Sequence, residues 1–204
     1  MNPGKIREIT AAYAALPVQF LSLADFPEIG ELAEQGASYA ENAAGKAFAV
    51  ARATGLVALA DDSGLEIDAL SGNPGIHSRR FLGMGATDAD RNARILTLLR
   101  DVPDALRTAR YRAVVAVALP DGSVRTFEGT CEGRIGRAPR GRGGFGYDPI
   151  FLPDETGRTM AELPVDVKNR VSHRGRGLRA AEPYVAAVLG QRQDRAADGA
   201  NNRR

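Results

Sequence analysis

The chain has 204 residues, 44% of them apolar and 25% charged, with a formal net charge of +2. That composition excludes wholesale disorder, collagen and a coiled coil, and a chain of this length buries roughly 70% of the surface it exposes when unfolded. No apolar run reaches the roughly 18 residues of a membrane helix, no signal peptide opens the chain, and the single cysteine, Cys131, excludes an internal disulfide and points to a reducing cytoplasm.

Residues 5–15 are predicted as a helix, with Ile6, Ile9 and Tyr13 on one face and Pro17 as its stop. Val18–Leu23 reads as a strand, and 24–37 as loop. Ser38 to Thr54 is a strong alanine-rich helix with Gly55 as its stop. Leu56–Ala60 is an apolar strand running into Asp61-Asp62-Ser63-Gly64, and 65–70 continues extended or as a short helix. Gly72-Asn73-Pro74-Gly75 is a turn. Asp88–Arg100 is a helix with Ile95, Leu96 and Leu99 inward. Arg110–Leu119 is a strand with Tyr111, Ala113, Val115, Val117 and Leu119 on one face, and Val124–Cys131 is its hairpin partner. Residues 139–149 form a glycine-rich loop. Asp166–Val171 and Arg174–Gly190 read as helices, the second kinked or interrupted at Pro183. The expectation is one α/β domain over 1–190, with some α+β character, followed by a disordered polar tail at 191–204.

Several stretches could carry chemistry. Asp61 and Asp62, placed at the end of an apolar strand, stand where open α/β sheets build sites; a plain turn is the rival reading. Glu41 is either the second half of a capping box with Ser38 or an oxygen ligand for Mg²⁺, which takes one or two carboxylates plus substrate phosphates. Asn2-Pro3-Gly4-Lys5 before a helix could cradle an anion. In Gly143–Pro149, Phe145 among glycines is suited to stack on a base; with Arg140 and Arg142 it could instead contact RNA, or it could plug the core. Lys168 supplies a point charge, and His173 and Arg174 supply donors that could read a carbonyl. Only three of the 27 basic residues are lysine: Lys5, Lys46 and Lys168.

Together these segments resemble the inosine/xanthosine triphosphate pyrophosphatase family. The resemblance rests on NPGKIREI at 2–9, YAENAAGKA at 39–47, TGLVALADDSGLEIDAL at 54–70 and GNPGIHSRRF at 72–81. It continues with ATDADRN at 86–92, PRGRGGFGYDPIF at 139–151 and AELPVDVKNRVSHRGRGL at 161–178. It implies an elongated α/β fold, with a central mixed sheet flanked by helices, a second lobe, and a nucleotide cleft between them. It implies Mg²⁺-dependent hydrolysis of ITP, dITP and XTP to the monophosphate and pyrophosphate by a cytoplasmic homodimer, with no stable nucleic-acid or membrane partner. Carried over by position, Asp62 is the general base and a metal ligand, and Glu41 its metal partner. Ser63 contacts substrate. Asn2, Gly4 and Lys5 bind phosphate, Phe145, Gly146, Tyr147 and Asp148 hold the nucleoside, and Lys168, His173 and Arg174 complete the substrate contacts. All three lysines fall inside matched motifs.

The sequence departs from the family in three places. The family begins with an apolar strand ending in a Ser/Thr-Gly-Asn turn, whereas here Met1 stands directly before Asn2. The expectation is that the native chain starts upstream, and that without this strand a sheet edge is exposed and a hole opens in the core. His77 stands where the family often has tyrosine, and Gly45 lies inside a helix, where it would suit a close backbone contact. Two rival functions remain in view: a Maf-like nucleotide pyrophosphatase with another base preference, and an RNA-binding module built on Arg140, Arg142 and Phe145. The second does not explain Glu41, Asp61 and Asp62, which would repel phosphate without a metal.

Overall fold

The computed structural model describes residues 3–201, with side chains described as far as Gly190. Four strands pair antiparallel in chain order: β1 (Ala58–Ile67), β2 (Thr108–Ala118), β3 (Val124–Ile135) and β4 (Phe151–Pro153). Where a mixed sheet was expected, every pairing among the described residues is antiparallel. At about 3.4 Å per residue, β3 runs roughly 40 Å, long enough to serve two lobes.

In the first lobe the sheet is covered on both faces. Helix α1 (Pro3–Ala12) opens the described chain. Helix α2 (Tyr39–Thr54) starts where the Ser38 hydroxyl accepts from the Glu41 N–H and ends at Gly55, whose φ of +68° suits glycine. Ala43, Ala47 and Ala51 recur every four residues and are fully buried, so α2 lies close against Val114, Ala116 and Ala118. Helix α5 (His173–Asn201) covers the opposite face, against Val115 and Val117. β2 is therefore buried on both sides, not on one as its period-two pattern suggests. A Cβ at Gly129 of β3 would run into the His173 carbonyl, so the start of α5 sits directly on the strand backbone. In the second lobe, Ile95 of α3 (Asp88–Leu98) and Leu99 just after it pack on Leu65, Ile67, Tyr111, Cys131 and Phe151. Helix α4 (Val165–Val171) precedes α5, and Tyr13, just beyond α1, donates its hydroxyl to the Leu178 carbonyl at 2.8 Å.

Three local expectations are corrected. Asp61-Asp62-Ser63-Gly64 is neither a turn nor a strand end: it lies in mid-strand, opposite Val115, Val114, Ala113 and Arg112. Val18–Leu23 is not a strand, because it meets no sheet edge; it is loop leading into a single 3-10 turn at Leu23–Asp25. Pro183 does not interrupt α5, where it lies on the exposed side, and the helix backbone continues through residue 201 into the stretch expected as a tail.

β1 has one strand neighbour, β2, among the described residues. A cavity of about 1270 Å³ is lined by its consecutive residues 58–64, by α1, by the 18–24 segment and by the start of α5.

Candidate active site

Adjacent residues on a strand point to opposite faces, and β1 uses this to give its two aspartates different partners. Asp61 faces α1 and α5. It accepts from Arg174 Nε at 3.1 Å and Nη2 at 3.0 Å, and pairs with Lys5 Nζ at 2.9 Å. Burial opposes its charge, but Arg174 and Lys5 outweigh burial and hold the carboxyl well below the usual range. Asp62 faces α2. Its Oδ1 accepts from Lys46 Nζ at 2.9 Å and its Oδ2 from Asn42 Nδ2 at 3.2 Å. Here burial wins over Lys46 and the carboxyl is pushed up. A raised carboxylate holds a proton more readily, which is the property a general base at the cavity wall needs. Lys46 also binds Glu34 Oε1 at 2.9 Å, so its ammonium bridges two carboxylates.

A second group of charges continues from Asp61 without a break. Arg174 Nη1 donates to Glu8 Oε2 at 2.6 Å, and Nη2 also reaches Ser63 Oγ at 3.0 Å. Glu8 Oε1 pairs with Lys168 Nζ at 2.7 Å, and Lys168 pairs with Asp148 Oδ2 at 2.6 Å. Lys5, Asp61, Arg174, Glu8, Lys168 and Asp148 thus form one chain of alternating charge. Burial pulls the Lys168 pKa down, but Asp148 and Glu8 more than offset it and hold the ammonium above its ordinary value. The Phe145 ring lies 4.8 Å from Lys168 Nζ and 5.5 Å from the Arg174 guanidinium carbon, within cation–π range. His173 stacks on Tyr111 at 4.4 Å, and its Nδ1 is buried without a partner. Burial pulls its pKa well below the ordinary value, so the imidazole is neutral, with one donor and one acceptor nitrogen.

Lys5, Asp61, Asp62, Ser63, Phe145, Gly146, Tyr147, Asp148, Lys168, His173 and Arg174, predicted from motifs scattered over the chain, all line the one cavity. Asn2 lies outside the described residues, and Gly4 is buried in α1. Glu41 is not among the lining residues; its Oε2 accepts from the Ala37 N–H at 2.9 Å, one residue before the Ser38 cap, so only the Ser38 half of the expected capping box forms. Arg140 and Arg142, which the RNA reading needs beside Phe145, do not line the cavity, and Arg140 pairs with Glu162 at the surface. His77 is exposed and accepts from Arg80. A Cβ at Gly45 would meet nothing within 4 Å, so the expected close backbone contact is not there.

Glu8, Glu34 and Asn42 were missed. On α1, Lys5 and Glu8 are three apart and so share a face, which is the one signal that joined them. Such a pair reads equally well as a solvated face.

A family model described as the Ham1 family matches residues 1–184. The chain belongs to the Ham1 family. Among its Ham1 relatives, the dITP/XTP pyrophosphatase of Geobacter sulfurreducens is 52% identical over 177 residues, covering 87% of this chain and 89% of that one. The Thermus thermophilus dITP/XTP pyrophosphatase is 51% identical over 179 residues, covering 88% and 86%. The structure of a HAM1 protein from Coxiella burnetii superposes with a TM-score of 0.80 at 39% identity, covering 94% of this chain and 95% of that one.

Proposed function

We propose that this Ham1 protein hydrolyses the non-canonical purine triphosphates ITP, dITP and XTP to the monophosphate and pyrophosphate. One observation carries the reading. A single cavity is lined by Lys5 and Lys46 beside two aspartates, groups suited to phosphates with a cation, and by Phe145 and His173, groups suited to a base. A nucleoside triphosphate carries both, and relatives about half identical to the chain are named for this activity.

A divalent cation, Mg²⁺ in this proposal, is expected beside the aspartates. The donor set fits it. No group of three or more metal-ligating side chains occurs among the described residues, and Mg²⁺ needs only one or two carboxylates beside substrate phosphates. Asp62 is one such carboxylate. Glu41 is the proposed second, its Oε2 held by the Ala37 N–H here, and an ammonium already bridges the Asp62 and Glu34 oxygens. Bound there, the ion would offset charge on the phosphates. Asp62 accepts the proton of the attacking water, its base strength raised by burial. Lys46 orients Asp62, and Lys5 meets phosphate while staying paired to Asp61. Phe145 stacks on the purine, and the neutral His173 offers its N–H to the 6-oxo group. Adenine carries an amino group there, so the donor would go unpaired, at roughly a thousandfold in kcat/KM. The working form in this reading is a cytoplasmic homodimer.

Pyrophosphate release from ITP, dITP, XTP, GTP and ATP, with and without Mg²⁺, tests the proposal. Metal-dependent release favouring the first three is the expected result. Equal release from ATP would remove the base-reading role, and no release from any would remove the activity.

A further inference from the structure

The motif ATDADRN at 86–92 takes no part in the chemistry above, yet α3 reaches back into the site through it. Two of its side chains, Asp88 and Asn92, are four residues apart and so lie on one face of the helix. Both grip the same residue of the glycine-rich loop. Asp88 Oδ2 accepts from the Gly146 N–H at 2.7 Å, and Asn92 Nδ2 donates to the Gly146 carbonyl at 3.0 Å. Gly146 has a φ of +63° and follows Phe145, whose other neighbour, Gly144, has a φ of +73°. A phenylalanine between two such glycines has little local stiffness of its own. Its own N–H donates to Asp148 Oδ2 at 2.9 Å, which holds one side of the loop, and the other hold is on the backbone of Gly146.

That hold is built from rigid parts. The start of α3 is fixed by the reciprocal Thr87–Asp90 capping box. Arg91 Nη2 binds Asp88 Oδ1 at 2.9 Å, leaving Oδ2 to face Gly146. Ile95, one turn further on, is fully buried in the second-lobe core. Asn92 is 5% exposed, and its Oδ1 is buried with no partner, so the amide is committed through its nitrogen to the loop.

We infer that Asp88 and Asn92 are positioning residues: by latching both sides of Gly146 to α3 they hold Phe145 at the depth at which it meets the purine. The inference rests on the proposed nucleotide substrate. It couples the second lobe to base binding, because α3 is anchored there. A latch of this kind acts on substrate affinity rather than on the phosphorus chemistry at Asp62, so its loss should appear in KM and not in kcat.

The test uses the full chain with Asp88→Ala, Asp88→Asn, Asn92→Ala and the unaltered protein. Asparagine at 88 keeps an oxygen acceptor for Gly146 and is the conservative rescue. Two readouts are compared: steady-state kinetics with dITP, and the rate of trypsin cleavage after Arg142 in the same loop without nucleotide. The expected result is a KM about tenfold higher for the two alanine variants, equivalent to about 1.4 kcal/mol. Their kcat should stay within about twofold, loop cleavage should be several-fold faster, and both readouts should return most of the way in Asp88→Asn. Unchanged KM in both alanine variants overturns the inference even if trypsin cuts faster, since the latch would then be structural only. A loss of kcat at constant KM also overturns it. If the unaltered protein turns over no purine triphosphate, the functional reading has failed and the positioning role falls with it. The trypsin arm then still reports whether the latch exists, which keeps the two failures apart.

Discussion

Arg174 joins the two halves of the buried charge chain, and its replacement by methionine measures what that chain contributes. Methionine fills much of the space of the aliphatic stem while removing the guanidinium. Asp61 keeps Lys5 at 2.9 Å and Glu8 keeps Lys168 at 2.7 Å, so neither carboxylate is left wholly unpaired. Breaking a buried pair costs about 3–5 kcal/mol, and with a second cation still on each acid the lower end applies, about 3 kcal/mol. In a chain of this length that lowers Tm by roughly 6–12 °C. Urea unfolding provides the assay: the midpoint should fall at constant slope. Adding Glu8→Gln to Arg174→Met removes one of the two carboxylates that lost a partner, so the double variant should be at least about 1 kcal/mol more stable than the two single losses summed. A loss below about 1 kcal/mol for Arg174→Met, or strict additivity, would refute the account of the chain as one coupled network. The same geometry limits base reading by this side chain. Four of the five guanidinium N–H groups already point at Asp61, Glu8 and Ser63, leaving one for a ligand.

Asp62→Asn should abolish pyrophosphate release while the far-UV spectrum and urea midpoint stay near those of the parent; an active variant would remove Asp62 as the base. Glu41→Gln should raise the Mg²⁺ concentration needed for half-maximal rate without changing Tm, because the amide oxygen still accepts from Ala37; a fall in Tm at unchanged Mg²⁺ dependence would make Glu41 a cap alone. His173 makes stability depend on pH. Its folded pKa is depressed by burial, then by Arg174 and Lys168. The unfolded chain therefore takes up this proton as pH falls through about 6.5 and the folded one does not. The stability it contributes is full above that value and declines below it, at a slope of up to about 1.4 kcal/mol per pH unit. The raised carboxyls of Asp62 and Asp148 act in the opposite sense. Comparison with His173→Gln between pH 6.5 and 5 isolates the histidine, and identical slopes would show that it titrates normally.

What could be read from residue order was local chemistry. The Ser38 cap, the Gly55 stop and the Leu119–Ser123 hairpin turn are set within a few residues and were predicted within one or two positions. The 61–64 stretch failed for the complementary reason. Asp, Ser and Gly favour turns locally, and only pairing with β2, fifty residues away, overrides that preference. Val18–Leu23 failed in the same manner, since an extended apolar run becomes a strand only if an edge is there to pair with it.

The site shows the same division in its charges. The motifs named the residue types, but their partners lie far along the chain: Lys168 and Asp148 are 20 residues apart, and Arg174 and Glu8 are 166. In isolation each of these side chains is indistinguishable from a solvated helix charge, and most charged side chains are that. What separates them is burial, which the chain sets only on folding. Once Arg174 is 2% exposed and Glu8 6%, pairing is obligatory, because an isolated buried charge costs far more than a surface bridge gains. Glu8 is therefore required by the cations that the motifs did predict. Lys168 and Arg174, held together under one aromatic ring, repel each other unless a buried anion stands between them, and α1 supplies it.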